Sequence, residues 1–476
     1  MDKTSDPLLE LSARDAVRHM QEGSLRAEVY ARALLARCAE ASALNAFITL
    51  DPERVLQSAR AADAYRAGGG RLGLLHGLPI PIKDSLNTGE YPTTGGTPAL
   101  RAFRPASNAP VVEQLVSAGA IVLGKTNLHE LSFGWTSNNH AFGGVRNPYD
   151  VSRSPGGSSG GTAAAVAAQM APLGVAEDTE GSIRVPAAWC GLVGFRPTTG
   201  RYSTEGAVPI SPLFDQVGPH ARSVGDIGLF DRVVAAHSQP LDPKPLKGIR
   251  LAIGRRYWFS NLDADVERLT TQALAKLRDA GAILIEQDIP DLAELIERIT
   301  GPVQNHDVSR ALPAYLSRYG AGVSFETLVE LASEDIRSVF ASDVLPGGAR
   351  YVTETAYHAA VNTYLPKLRE AYRRFFATTG AAAIVFPTTM ITAPLIGDPD
   401  TVDVRGKPVS FEDAASRNIA PGSTAGLPGL VLPVGLSAAG LPVSLEFDGP
   451  AGADHELLRL GLAVEPVLGS IRPPTL

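Results

Sequence analysis

The stretch 154–197 constrains this chain more than any other. Six consecutive residues in it, Gly156-Gly157-Ser158-Ser159-Gly160-Gly161, are nothing but glycine and serine. Glycine at that density costs conformational entropy, so it implies left-handed dihedrals or close approach of the backbone to a neighbour. The alanine-rich run 163–171 follows, and its composition predicts a buried helix. A second tight segment, Asp178-Thr179-Glu180-Gly181-Ser182-Ile183-Arg184, then carries another serine. Two serine-bearing turns flanking one short helix can aim both hydroxyls at a single point. That is a nucleophile arrangement in outline, and a serine hydroxyl, inert at neutral pH, needs a proton acceptor beside it.

The upstream run His76-Gly77-Leu78-Pro79-Ile80-Pro81-Ile82-Lys83-Asp84 supplies one. It is apolar, stiffened by proline, and ends in a lysine. At the end of a buried strand, desolvation lowers a lysine's pKa toward the range of a usable base.

Other chemistries fit the residues less well. The segment G-A-I-V-L-G-K-T at 119–126 satisfies the phosphate-loop pattern. A phosphate loop needs exposed amides between its glycines, whereas Ala-Ile-Val-Leu is the composition of a buried strand, and a helix precedes Gly119 where a strand is required. Gly156-Gly157-Ser158-Ser159-Gly160 also satisfies the nucleophile elbow of Ser-His-Asp hydrolases. An elbow follows an apolar strand and its histidine comes last, but here Arg153-Ser154-Pro155 precede the turn and His129 and His140 lie before the serine. The nine histidines show no metal-ligand spacing, so a zinc hydrolase has no support and no metal is expected. Cys190 sits among apolar neighbours and reads as a small core residue.

Composition narrows the rest. A chain of 476 residues with 44% hydrophobic and 20% charged residues can bury a large core. A net charge of −7 gives no basic footprint for nucleic acid or an anionic membrane. Two cysteines, Cys38 and Cys190, make no disulfide framework and point to a reducing cytosol. The opening M-D-K-T-S-D-P lacks a signal-peptide pattern. The uncharged stretches 155–176 and 418–445 contain Pro172 and Pro421, Pro428, Pro433 and Pro442 respectively, so both read as buried interior of a soluble protein.

Along the chain, residues 8–67 have a helical pattern with a cap at Ser12, closed by Gly68-Gly69-Gly70. A helix is expected over 111–118 and a short strand over 120–123. Residues 240–247 read as a proline-rich linker. A strand at 249–253, a helix at 263–280 and a strand at 282–286 make a βαβ unit. Residues 290–380 are mostly helical in pattern, and 381–386 is a strand.

Five motifs in order tie these pieces together: P-I-P-I-K-D at 79–84, G-A-I-V-L-G-K-T-N at 119–127, P-G-G-S-S-G-G at 155–161, G-S-I-R-V-P at 181–186 and G-L-P-G-L-V-L-P-V-G at 426–435. The sequence resembles the amidase signature family over most of its length. The resemblance implies an α/β fold, a mixed β-sheet sandwiched between helices, with residues 1–67 as a helical extension and 68–476 as one catalytic unit. It implies hydrolysis of an amide carbon–nitrogen bond through an acyl-enzyme, with carbamates or aryl esters as further substrates and no cofactor. Carried over by motif, Ser182 is the nucleophile, Ser158 the bridging serine in a cis peptide, and Lys83 the base. Thr179, Glu180, Gly181 and Ser182 are expected to offer backbone N–H groups to the oxyanion, with Asp178 and Arg184 as loop supports. Ser132, Phe133 and Thr136 are expected to line the substrate pocket. Relatives usually carry a glycine where this chain has Glu180. The expected partner is a small-molecule amide, with no nucleic acid and no membrane, in the cytoplasm. Oligomeric state stays open, a homodimer included. The alternative is a subunit resembling the amidase subunit of the glutamyl-tRNA amidotransferase.

Overall fold

The computed structural model describes residues 6–237, 241–397 and 399–475. Eleven strands make one mixed sheet with helices packed on it. In chain order they begin β1 Phe47–Leu50, β2 Pro79–Lys83, β3 Ile121–Thr126, β4 Leu173–Asp178, β5 Val193–Arg196 and β6 Gln216–Ala221. There follow β7 Arg250–Ile253, β8 Ile283–Glu286 and β9 Ala383–Pro387, then a separate hairpin of β10 Thr401–Val404 and β11 Lys407–Ser410, and last β12 Gly429–Leu436 and β13 Pro442–Asp448. The large sheet runs β1-β3-β2-β4-β6-β5-β12-β13-β9-β7-β8.

The centre is what positions chemistry. β2 lies parallel between β3 and β4, so every residue of P-I-P-I-K is buried, the lysine included. Strands covered on both faces read as continuous apolar runs, as these do. The chain crosses from β3 to β4 through the helix Gly160–Ala167, all of whose residues are buried. That helix is shorter than the alanine run suggests: Gln169 turns to φ +62° and Pro172 follows, so the backbone leaves the helix before Ala171. The glycine-serine turn ahead of it meets the demands of its sequence. Gly156 has φ +87°, and a Cβ on Gly157 would stand 2.7 Å from the Trp135 carbonyl carbon.

The first 67 residues depart from an all-helical reading. Ser12 does cap its helix, accepting the Asp15 N–H at 3.0 Å. Phe47–Leu50, however, pairs antiparallel with β3 and forms the sheet's edge. The cause is local: F-I-T-L is strand-forming, Asn45 turns the chain at φ +52°, and Asp51 caps a new helix beginning at Pro52. The βαβ unit forms as its pattern predicts, with β7 and β8 parallel and the helix Ala264–Asp279 between them. Of the expected linker 240–247, Pro240 lies outside the described residues and 241–246 carry no regular structure. Residues 1–5, the opening of the chain, are likewise outside them. A second apolar cluster, separate from the main core, joins Leu100, Phe103 and Leu131 to Leu312, Leu328 and Phe340 of the helical region.

Candidate active site

Lys83 ends β2 with its side chain fully buried. Its Nζ stands 2.7 Å from Ser158 Oγ and 2.6 Å from Glu177 Oε1. Burial holds the amine below the usual lysine range, and the Glu177 charge pulls the other way. Glu177 comes from β4, the parallel neighbour of β2, so sheet pairing sets this contact.

Ser158 is brought to the lysine by its turn. The Gly157–Ser158 peptide is cis. The Ser158 carbonyl accepts the His129 N–H at 3.1 Å and lies 3.1 Å from the Ser137 hydroxyl, which also meets the Gly156 carbonyl at 2.8 Å. Next along the chain, the Ser159 N–H donates to the Ser182 carbonyl at 3.2 Å, and its hydroxyl donates to the Glu177 carbonyl at 3.0 Å. The two serine-bearing turns are therefore bonded to each other through main chain.

The loop Thr179–Ser182 leaves β4 and enters the helix Arg184–Trp189. Buried charges hold it. Arg184 pairs with Asp178 at 3.0 Å and with Glu446 of β13 at 2.9 Å, while Arg196 lies 3.3 Å from Asp178. Burial alone would raise the Asp178 carboxyl, but the two arginines keep it below the usual carboxylate range. Arg184 and the Ser423 hydroxyl each donate to the Glu180 carbonyl at 2.9 Å. With that carbonyl turned toward them, the N–H groups of Glu180, Gly181 and Ser182 donate to no protein acceptor among the described residues. Backbone amides left free and held in place are what stabilises an oxyanion.

The model of one protein family, described as Amidase, matches residues 30–458. This chain belongs to the amidase family. An indoleacetamide hydrolase of Agrobacterium vitis is 40% identical over 433 residues, 91% of each chain. A mandelamide hydrolase of Pseudomonas putida is 39% identical over 485 aligned positions, covering 98% of this chain and 93% of that one. Among solved structures, the native peptide amidase of Stenotrophomonas maltophilia superposes with a TM-score of 0.83 at 29% identity, over 98% of this chain and 99% of that one. The protein is an amide-hydrolysing enzyme with the amidase-signature fold.

The remaining residues of this amidase fall into place around that centre. Ser132, expected in the pocket, donates to Glu177 Oε1 at 2.5 Å. Phe133 packs its ring 5.1 Å from Phe340, in the second apolar cluster. Thr136 lies 3.2 Å from His129 Nδ1, and His129 Nε2 lies 3.7 Å from Asp335. The Glu180 side chain points away from the loop amides: its carboxylate accepts from Gln304 Nε2 at 2.8 Å and from Ser416 Oγ at 3.1 Å. Burial and the nearby Glu412 charge push that carboxyl up to about 7. Cys190 is buried, its thiol pushed up by burial and lying 3.3 Å from the Pro155 carbonyl. Lys125, the lysine of the phosphate-loop pattern, sits in β3 and pairs with Asp84 at 2.9 Å. Among the described residues no cluster of three His, Cys, Asp or Glu can hold a metal ion, and no helix is long and apolar enough to cross a membrane.

Sequence reasoning missed Glu177, Gln304 and Ser416. Glu177 carried a signal: a carboxylate beside Asp178 at the end of the run L-G-V-A-E-D, whose composition already reads as buried strand. The other two come from segments 124 and 236 residues away from Glu180 and carry no local mark.

Proposed function

We propose that this amidase hydrolyses small arylacetic amides by a Ser182–Ser158–Lys83 relay through an acyl-enzyme. The observation that carries the reading is the buried amine of Lys83, 2.7 Å from Ser158 Oγ, in a turn whose next amide is bonded to Ser182. Neutral Lys83 accepts the Ser158 proton while Ser158 takes that of Ser182, freeing its oxygen to attack the carbonyl carbon. The oxyanion rests on the amides of Glu180, Gly181 and Ser182, with Thr179 beginning the same loop. When the carbon–nitrogen bond breaks, the departing amine takes a proton from Ser158, which recovers one from Lys83. Water then repeats the sequence on the ester. The named substrates of the two relatives, indoleacetamide and mandelamide, place an aromatic ring one carbon from the amide. The cluster around Phe133 and Phe340, one residue from Ser132, suits such a ring.

Carbamates and aryl esters of the same acids are expected substrates too. Two buried, unpaired cysteines suit a cytoplasmic location. A turnover panel of arylacetamides, anilides, carbamates and glutamine on the isolated chain tests the reading, with a serine-directed fluorophosphonate to mark the nucleophile. The label should fall on Ser182. An adduct on Ser158 or Cys190 would refute the relay, and hydrolysis of glutamine only with a co-purified partner would mark an amidotransferase subunit instead.

A further inference from the structure

We infer that Glu177 is a positioning residue for the reaction: its carboxylate orients the Lys83 amine toward Ser158 and stabilises the ammonium that forms when Lys83 takes the serine proton. The inference rests on Lys83 being the base. It begins from a convergence of donors. Glu177 Oε1 receives Lys83 Nζ at 2.6 Å, Ser132 Oγ at 2.5 Å and Ser85 Oγ at 3.3 Å, all of them buried. An oxygen taking three donors acts purely as an acceptor, the role a carboxylate oxygen fills.

The geometry then assigns the hydrogens. A neutral amine has one lone pair and two N–H bonds. With one N–H directed to Glu177, a second N–H and the lone pair remain, and turning the lone pair to Ser158 Oγ, 2.7 Å away, lets the amine take the serine proton. As the proton arrives, Lys83 becomes an ammonium in a site with no exposed surface, where an unpaired charge is costly. A carboxylate already 2.6 Å away offsets that charge with no rearrangement. The aspartate of a Ser-His-Asp triad does the same for its imidazolium. Ser132 and Ser85 fix the carboxylate in turn, so the pocket serine of the sequence reading belongs to this support.

Other charges face the pair. Asp178, the residue after Glu177 at the end of β4, is neutralised by Arg184 and Arg196. Asp84, which follows Lys83 just past the end of β2, is paired with Lys125. His220 is held at about 4 by burial and is neutral in the working range. Asp215, which accepts the Thr179 hydroxyl at 2.7 Å, is pushed to about 7 by burial and by the Glu177 charge, so it titrates where activity is measured.

Arylacetamide kinetics of E177Q and E177D from about pH 5 to 10 decide the matter. In E177Q the amide oxygen still accepts the amine N–H, but the charge is gone. The plateau of kcat/KM should fall roughly 10²–10³-fold. Without the carboxylate Lys83 loses its proton more readily, so the acid limb should move down by about one to three pH units. The variant is then slower yet holds its plateau into more acidic solution, a combination that mere loss of structure does not produce. E177D keeps the charge, so its limb should stay at the wild-type position while its rate drops. D215N should move the limb less than E177Q. An unmoved limb or an undiminished plateau in E177Q overturns the inference, as does an equal shift in D215N. If E177Q does not fold, E177D decides alone: a wild-type rate overturns, and a reduced rate with an unmoved limb upholds. K83M separates the two levels. If K83M keeps turnover, the relay itself fails; if K83M is inactive and E177Q behaves as wild type, only the role of Glu177 fails.

Discussion

Lys125 offers the sharpest test of whether the phosphate-loop pattern is a piece of buried scaffold. Its Nζ pairs with Asp84 at 2.9 Å and reaches Leu86 O at 2.9 Å, Thr93 Oγ1 at 2.9 Å and Pro92 O at 3.1 Å. Both members of the pair are fully buried, and burial pushes each toward its neutral form while the partner holds it back. Lys125→Met keeps the volume and removes the charge, leaving the Asp84 carboxylate with Thr94 as its remaining partner among the described residues. Breaking a buried pair from one side costs about 3–5 kcal/mol. Unfolding entropy of about 2.1 cal/mol/K per residue, over 476 residues, comes to about 1 kcal/mol/K, so the Tm should fall by roughly 3–5 °C. Replacing both partners, K125M with D84N, should recover most of that loss. Calorimetry on the four proteins of the cycle measures it, and equilibrium dialysis with ATP should find no binding to any of them. A K125M melt within about 1 °C of wild type, or a double variant less stable than the sum of the singles, would refute the pairing argument. ATP binding lost in K125M would refute the dismissal of the motif.

Three further outcomes are expected. S182A should fold as wild type by melting and circular dichroism yet lose fluorophosphonate labelling and all turnover. K83M should lose acylation by orders of magnitude and flatten the acid limb of the rate profile, since a base that works only when neutral sets that limb. E180Q should keep most turnover, because the loop donors are main chain. The raised carboxyl of Glu180 makes the wild type bind more protons folded than unfolded between the ordinary glutamate value and about 7, so that stability is full below this window and lost as pH rises through it. E180Q should therefore melt above wild type at about pH 8, and the gap should close toward about pH 4.

What could be read in advance follows from how far apart the interacting residues lie along the chain. Lys83, Ser158 and Ser182 each sit in a short motif, and each motif marks the end of a central strand or a turn bonded to one. Lys83 ends β2, and the turn bearing Ser158 is bonded to β4 through Ser159, so the two motifs meet at 2.7 Å. The βαβ unit and its helix boundaries were legible for the same reason, since period and caps are local. Phe47–Leu50 was hidden by the helices on both sides, although Phe-Ile-Thr is a strand composition. The partners of Glu180 were beyond reach because Gln304 and Ser416 lie 124 and 236 residues from it, in helices where no local pattern marks which polar residue meets the loop. Ser132 is expected in the pocket, and its bond to Glu177 Oε1 at 2.5 Å is a long-range contact that no local pattern marks.

The Arg184–Glu446 bond has a meaning for how the protein is made. Its two ends are 262 residues apart, and Arg184 already stands fully buried beside Asp178 in the finished loop. A ribosome adding about 5–20 residues per second takes roughly 13–50 s to go from one to the other. For that interval the loop that bears Ser182 has emerged without β13, the strand that completes its ion pair. The centre of the molecule is thus among the last parts to be finished. Nascent chains stalled before residue 446 would carry both serines and the lysine and still lack the anchor that holds the loop amides in place.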